Sequence, residues 1–359
     1  MRVALDATLW DEPATGISVY THELARALEA AGQQVEPWGA RRTGRVRKSK
    51  SRTRFVLAEL PRWLAEDPPD VFHAVQNFNL PLTRTGSAKL VLTVHDLIPL
   101  LLPETVSSAY RWQFRLWLSR SVELADAIVC VSEATRAALV ERFPRAEAKA
   151  TVVHNGVGHV DRVPRGDATT RAWIDALGLP KRWVLYAGAL DARKNVELVA
   201  DAVVELKRRG KPAALVLAGQ RWFGAGAIER KLDAAREQGV DIRPLGHLES
   251  SVFYELMRRA PVFAFPSRYE GFGLPPLEAM RLGVPAVVSD AGSLPEIVGD
   301  AAQIVGVDDA GGLADALDSV LSDERVRAKW VEAGLRRAAQ FTWAAAAEKL
   351  IRIYRSSEA

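Results

Sequence analysis

The feature that most constrains this chain is a rhythm. Short apolar runs, each the length of one strand, alternate with stretches of helical period; the alternation stops at a polar break and then starts again. In the first half, Val3–Asp6, Val71–His73, Leu90–Val94, Ala127–Val131 and Thr151–Val153 read as strands. Between the first two, Val19, Leu24, Ala27 and Leu28 share one face of a helix that Gly32 ends. Such an alternation predicts a parallel, doubly wound α/β sheet. Residues 156–170 mix Gly, Pro and polar groups without a steady period, and read as an interdomain linker. Strands then recur at Trp183–Ala187, Ala214–Ala218, Val262–Pro266 and Ala286–Ser289, and helices at 196–209, 227–238, 250–259, 274–282 and 311–321. Helical patterning over 325–339 and 343–355 closes the chain. At 359 residues the chain is too long for one ordinary core, so two domains are expected.

Composition excludes several classes. An apolar share of 48% and a charged share of 26% exclude a disordered or fibrous chain. Cys130 is the one cysteine, so no disulfide can form within the chain. No run of 18 apolar residues exists, and the opening residues read as a strand without the apolar core of a signal peptide. A cytoplasmic protein is the expectation. The net charge is +4, yet residues 41–54 alone hold eight basic groups and no acidic one, so the rest sums to −4. The basic character is therefore one local patch, which argues against nucleic acid as a partner.

Open parallel sheets bind ligands beyond the carboxyl ends of their strands. There the second half carries Ser267-Arg268-Tyr269-Glu270-Gly271-Phe272-Gly273-Leu274-Pro275-Pro276-Leu277-Glu278. Gly271 and Gly273 allow close backbone approach, and Leu274-Pro275 opens a helix whose free amides suit phosphate. Glu270 and Glu278 suit sugar or ribose hydroxyls. A second strand–helix junction carries Gly188, then Arg193-Lys194-Asn195. Two adjacent cations fit a diphosphate leaving group. Read singly, Glu278 is as well explained as a solvated helix residue and the Arg-Lys pair as an exposed one.

The Glu270-x7-Glu278 spacing, the Arg193-Lys194-Asn195 segment and Gly292-Ser293-Leu294-Pro295-Glu296 together resemble the retaining, GT-B-fold glycosyltransferases of family four, the glycosyl transferases group 1 class. The resemblance implies two Rossmann-like domains facing a central cleft: 1–160 on the acceptor side, 161–340 for the nucleotide-sugar donor, and a helix at 341–359 packing back towards the first. It implies that Arg193 and Lys194 bind the diphosphate and that Glu278 binds the ribose. Glu270, with the amides of Phe272, Gly273 and Leu274, would hold the donor sugar and phosphate. His247 and Leu248 would lie near the base, and His95 beside the donor sugar. The loop Asp11–Ser18 would approach the phosphate through Gly16, although Ser18 stands where relatives often carry glycine. Such enzymes work without a metal or a cofactor, and no Asp-x-Asp motif is present. The implied reaction is front-face transfer with retention.

The opening Thr15-Gly16-Ile17 and the run His95-Asp96-Leu97-Ile98-Pro99 resemble mannosyltransferases of surface polysaccharide, which favours GDP-mannose as donor and a glycan or lipid-linked glycan as acceptor. UDP-sugars stay open, as does a nucleotide-sugar epimerase of the same fold. A membrane- or nucleic-acid-binding module is a third reading. A phosphorylase is disfavoured by the lack of a lysine-centred pyridoxal phosphate segment. Asp96 either orients its loop or meets the acceptor; Ser132 reads as a helix cap and Asn155-Gly156 as a turn. Residues 110–120 put Tyr110, Phe114 and Trp117 close together on a helix, with Arg111 and Arg115 one turn apart. Either this is a core helix with exposed arginines or, with 41–54, a peripheral contact with anionic lipid at the inner membrane surface.

Overall fold

The computed structural model describes residues 1–11, 16–39, 52–222 and 225–356. The chain divides into two compact units, Met1–Gly156 with Thr342–Ala359, and Val157–Phe341. Among the described residues each unit holds one six-stranded sheet, parallel throughout.

In unit 1 the strands are β1 (Arg2–Asp6), β2 (Gln34–Trp38), β3 (Val71–Ala74), β4 (Lys89–Val94), β5 (Ala127–Cys130) and β6 (Ala150–Val152), in the order β2-β1-β3-β4-β5-β6. Its helices are α1 (Gly16–Ala30), α2 (Arg52–Arg54), α3 (Leu60–Glu66), α4 (Ile98–Leu101), α5 (Ser108–Leu124), α6 (Glu133–Arg142) and, returning from the chain's far end, α15 (Trp343–Arg355). Alternate side chains go to opposite faces. Leu90 and Leu92 pack with Trp38, Phe72 and Leu118 on one side of the sheet. Val91 packs with Val3, Leu24, Trp343 and Leu350 on the other. Helix α15 is therefore part of the unit-1 core. The buried face of α1 is rotated from expectation: Tyr20, Thr21 and Ala25 are buried with Leu24 and Leu28, while Val19 and Ala27 are half-buried.

In unit 2 the strands are β7 (Trp183–Ala187), β8 (Ala214–Ala218), β9 (Ile242–Gly246), β10 (Phe263–Phe265), β11 (Ala286–Ser289) and β12 (Gln303–Val305), in the order β12-β11-β10-β7-β8-β9. Its helices are α7 (Ala168–Ala176), α8 (Val196–Arg208), α9 (Ala225–Glu237), α10 (Ser250–Arg258), α11 (Leu274–Arg281), α12 (Leu294–Val298), α13 (Ala310–Ser322) and α14 (Glu324–Ala338). Val184, Leu215, Ala264 and Val287 from the sheet pack against Val199, Val203 and Leu317 from the helices.

Two expectations need correction. Residues 156–170 are more than a linker: Gly158–Arg162 form a 3-10 turn in which His159 and Val160 are buried. Gly156 makes no turn; a Cβ there would lie 2.3 Å from the Trp343 amide nitrogen, so glycine is required because the start of α15 passes against it. Ser132 does cap α6, accepting from Thr135 N at 3.0 Å. Among the described residues no helix is long and apolar enough to cross a membrane.

Candidate functional site

In a doubly wound sheet the crevice opens where strand order reverses, beyond the carboxyl ends of the two strands that flank the switch. In unit 2 those strands are β7 and β10. The loops leaving them carry Gly188–Asn195 and Pro266–Gly273, so the topology brings together the two motifs that sequence had kept about 75 residues apart.

Their meeting point is ionic. Glu270 Oε1 accepts from Arg193 Nη1 at 2.8 Å and from Lys194 Nζ at 2.6 Å. Arg193 also donates to the Tyr269 carbonyl at 2.9 Å, and its amide to Asp191 Oδ1 at 3.0 Å. Lys194 lies over the Phe265 ring, 4.7 Å from its centre. Burial pushes the Glu270 carboxyl up, but the charges of Lys194 and Arg193 outweigh burial and hold it below its ordinary range. Burial likewise lowers the Lys194 ammonium, with Glu270 opposing. Asp191 Oδ2 also stands 4.0 Å from Arg193 Nε, so the two cations face two carboxylates and the formal charges balance. The adjacent guanidinium and ammonium groups suit an added anion as charge-assisted donors to phosphate oxygens.

The backbone is shaped around it. Asn195 is left-handed, φ 56°, and its side-chain Nδ2 donates to the carbonyls of Pro266 and Val307 at 3.1 and 2.8 Å. Ser293 donates to the Glu270 carbonyl through both N and Oγ. Gly292 permits that approach: its Cβ would come within 2.6 Å of the same oxygen. Gly273, φ 97°, caps α11, and Leu274 begins the helix. Gly271 and Phe272 are buried, Phe272 against Phe341 edge to face.

Glu278, on α11, is buried rather than solvated, with 7% exposure. Its Oε1 is 2.8 Å from His159 Nε2, and the phenol of Tyr254 is pushed up by burial and then by the Glu278 charge. His159 comes from the stretch read as linker and went unnoticed, because nothing in its local sequence marks it. The next residues repeat the attachment: Asp161 takes Arg281, also on α11, at 2.6 Å. Gly188 has φ 153° and lies at the end of β7, while His247 is exposed and Leu248 half-buried just beyond β9.

Unit 1 presents a different set at the carboxyl ends of β1, β3 and β4. Asp6 Oδ2 accepts from Asn79 Nδ2 at 2.7 Å, and Oδ1 from the Thr8 hydroxyl at 2.8 Å; Gln76 donates to the same threonine. His73 is wholly buried between Tyr354 Oη and Thr93 Oγ1, each at 2.7 Å, and Thr93 also meets Tyr20 Oη at 3.1 Å. His95 is half-buried. Its Nε2 lies 2.8 Å from the Val75 carbonyl, and its amide donates to Asn77 Oδ1 at 2.8 Å. A carbonyl only accepts, so the His95 proton sits on Nε2 and Nδ1 is the lone-pair nitrogen. Burial lowers the His73 imidazole to about 3 and the His95 imidazole to about 4, so both are neutral near pH 7. Asp96 orients its own loop, accepting from the Ile98 amide at 3.1 Å. The Cys130 thiol is buried and pushed up to about 12, which makes it inert. Gly16 is exposed at the start of α1; residues 12–15 of the preceding loop lie outside the described residues, as do residues 41–51 of the basic run. Among the described residues no group of His, Cys, Asp and Glu could hold a metal.

Comparisons with known proteins agree in kind. Residues 170–337 match the family model "Glycosyl transferases group 1", and residues 14–159 match "Glycosyltransferase Family 4". The chain is 29% identical to O-antigen chain mannosyltransferase B of Escherichia coli over 82% of its own length and 76% of that protein's. It is 30% identical to alpha-maltose-1-phosphate synthase of Mycobacterium tuberculosis, over 74% and 72%. Among solved structures, Anabaena HepE in complex with UDP and glucose has a TM-score of 0.76 at 19% identity, covering 98% of each chain. The fold is GT-B.

Proposed function

The chain belongs to the glycosyl transferases group 1 family, and from that premise we propose that it moves mannose from GDP-mannose to a glycan or lipid-linked glycan, with retention at the anomeric carbon. The observation that carries the transferase chemistry is the Arg193–Lys194–Glu270 cluster at the unit-2 switch point. In this reading the donor's diphosphate takes charge-assisted hydrogen bonds from Arg193 and Lys194. As the glycosidic bond breaks, negative charge grows on the leaving phosphate oxygen; Arg193, Lys194 and the amides opening α11 stabilise it more than they stabilise the bound donor. Glu270 keeps both cations in place and is the counter-charge to which they return after release. Glu278, with Oε1 held by His159, accepts from the ribose hydroxyls through Oε2. His95 accepts from a sugar hydroxyl through Nδ1. Gly16, Gly188, His247 and Leu248 line the remainder of the nucleotide site, no metal takes part, and the enzyme works in the cytoplasm.

The mannosyl reading is supported by the relative named for mannose transfer and by the Thr15-Gly16-Ile17 opening. A UDP-sugar donor is the second reading, and the structural neighbour bound to UDP and glucose favours it. Thermal unfolding with GDP, UDP, ADP and their sugar conjugates separates them. A ligand at 100 times its Kd stabilises the native state by about 2.7 kcal/mol. A shift with GDP and GDP-mannose alone supports the proposal, a shift with UDP compounds alone replaces the donor, and no shift with any nucleotide removes the transferase assignment.

A further inference from the structure

Helix α5 carries a charge repulsion that no ion pair among the described residues offsets. Arg111 and Arg115 stand four residues apart, where like charges on a helix repel. Arg111 also closes the first turn of α5, where the helix dipole disfavours a cation. Among the described residues neither has an ion-pair partner; Arg115 instead lies over the Trp112 ring, 5.9 Å from its centre. The same helix buries Phe114 and Leu118 in the unit-1 core yet leaves Trp112 56% and Leu116 63% exposed. A helix that only closed a core would not need two large apolar side chains on its outer face.

Beside this face is a cavity of about 530 Å³, lined in part by Leu100, Arg111, Trp112, Arg115, Arg142 and Phe143. Among the described residues three arginines and no carboxylate line it. Among the described residues Arg142 pairs only with its exposed neighbour Glu141. Trp112 and Phe143 add aromatic surface to the same lining. The ligand this chemistry recognises has a phosphate for the arginines and a hydrocarbon part for the exposed tryptophan and leucine.

We propose that this cavity is a headgroup site for anionic phospholipid, and that α5 docks the protein on a membrane with Trp112 and Leu116 entering the interface while Arg111, Arg115 and Arg142 hold lipid phosphate. The proposal is independent of which nucleotide sugar is the donor. Indole at the headgroup level and arginines at the phosphates give two contributions, one set by apolar area and one by charge.

The test is sedimentation of the whole protein with vesicles of phosphatidylglycerol and phosphatidylcholine, and with phosphatidylcholine alone. Binding is expected only to the anionic vesicles, weakening as salt rises. Trp112→Ser with Leu116→Ser, and separately Arg111→Gln with Arg115→Gln and Arg142→Gln, should each lower the affinity at least ten-fold. All five side chains lie on an outer face or cavity wall, and unchanged thermal unfolding checks that the variants fold. Anionic-vesicle binding that survives both variants overturns the proposal and assigns the contact to the intact basic run at 41–54. Absence of vesicle binding also overturns it, and thermal stabilisation by free inorganic phosphate without vesicle binding would show a soluble phosphate ligand in its place.

Discussion

The two units share a sheet type but differ in what they place at the carboxyl ends of their strands. Unit 2 has a charged cluster there, with Glu270 between Arg193 and Lys194. Unit 1 has a mostly neutral network, in which His73, Thr93, Tyr20 and Tyr354 pass hydrogen bonds among themselves and His95 is fixed in one tautomer. The difference teaches what each can bind. A cluster that presents an arginine and a lysine side by side discriminates for anions and draws its strength from low dielectric. A network of fixed donors and acceptors discriminates among hydroxyl patterns, because a wrong partner leaves a buried group unpaired.

The sharpest way to break this contrast is to discharge unit 2. Arg193→Ala with Lys194→Ala should reduce turnover by about 10³-fold or more. The same variant leaves Glu270 buried without its cations, so it should also unfold at lower temperature. Adding Glu270→Gln should restore stability without restoring turnover; recovery of transfer would disconnect the cluster from the leaving group.

The next test acts on unit 1 through pH. The folded-state imidazoles of His73 and His95 are lowered to about 3 and about 4, against about 6.5 in an unfolded chain. Between those limits the unfolded state binds more protons, so stability is present above pH 6.5 and is lost as pH falls towards 4. Each histidine contributes a slope of up to about 1.4 kcal/mol per pH unit. Chemical denaturation from pH 7.5 to 4.5 should show this decline, and His73→Asn should flatten it. A flat profile in the native chain would mean that these rings titrate normally.

Smaller still is the effect of Glu278→Ala. Nucleotide affinity should fall about ten-fold, the size of a lost hydrogen bond to a charged group. Isothermal titration with the nucleoside diphosphate reads it, and unchanged affinity would remove Glu278 from the ribose. The smallest expected effect is none: treatment with a chelator should leave transfer intact, and activity lost to chelator and restored by a divalent ion would reveal a metal that the two clusters do not account for.

Much of this was legible in the residues. The strands at Trp183–Ala187, Ala214–Ala218 and Ala286–Ser289 stand where the apolar runs put them, because central strands of a parallel sheet are buried on both faces. The strands that escaped notice, β2, β9 and β12, are all at sheet edges. There half-exposed positions admit Glu36, Arg243 and Gln303, and Pro37 and Pro244 are tolerated. The unit-2 cluster was visible because its residues sit in two compact motifs. The unit-1 network was not: Asp6, His73, Gln76 and Asn79 are ordinary polar residues near strand ends, and only the sheet order makes them neighbours. His159 was hidden by the Gly- and Pro-rich stretch that contains it.

The return of α15 to unit 1 has a consequence for the order of assembly. The chain leaves unit 1 after Gly156 and comes back at Thr342, and the two crossings are adjacent, with Val157 N donating to the Phe341 carbonyl at 3.1 Å. Unit 2 is one uninterrupted segment; unit 1 is not. On the ribosome, therefore, the later-made half closes its core first. The earlier-made half waits with Val3, Leu24 and Val91 uncovered until Trp343, Leu350 and Tyr354 emerge to cover them.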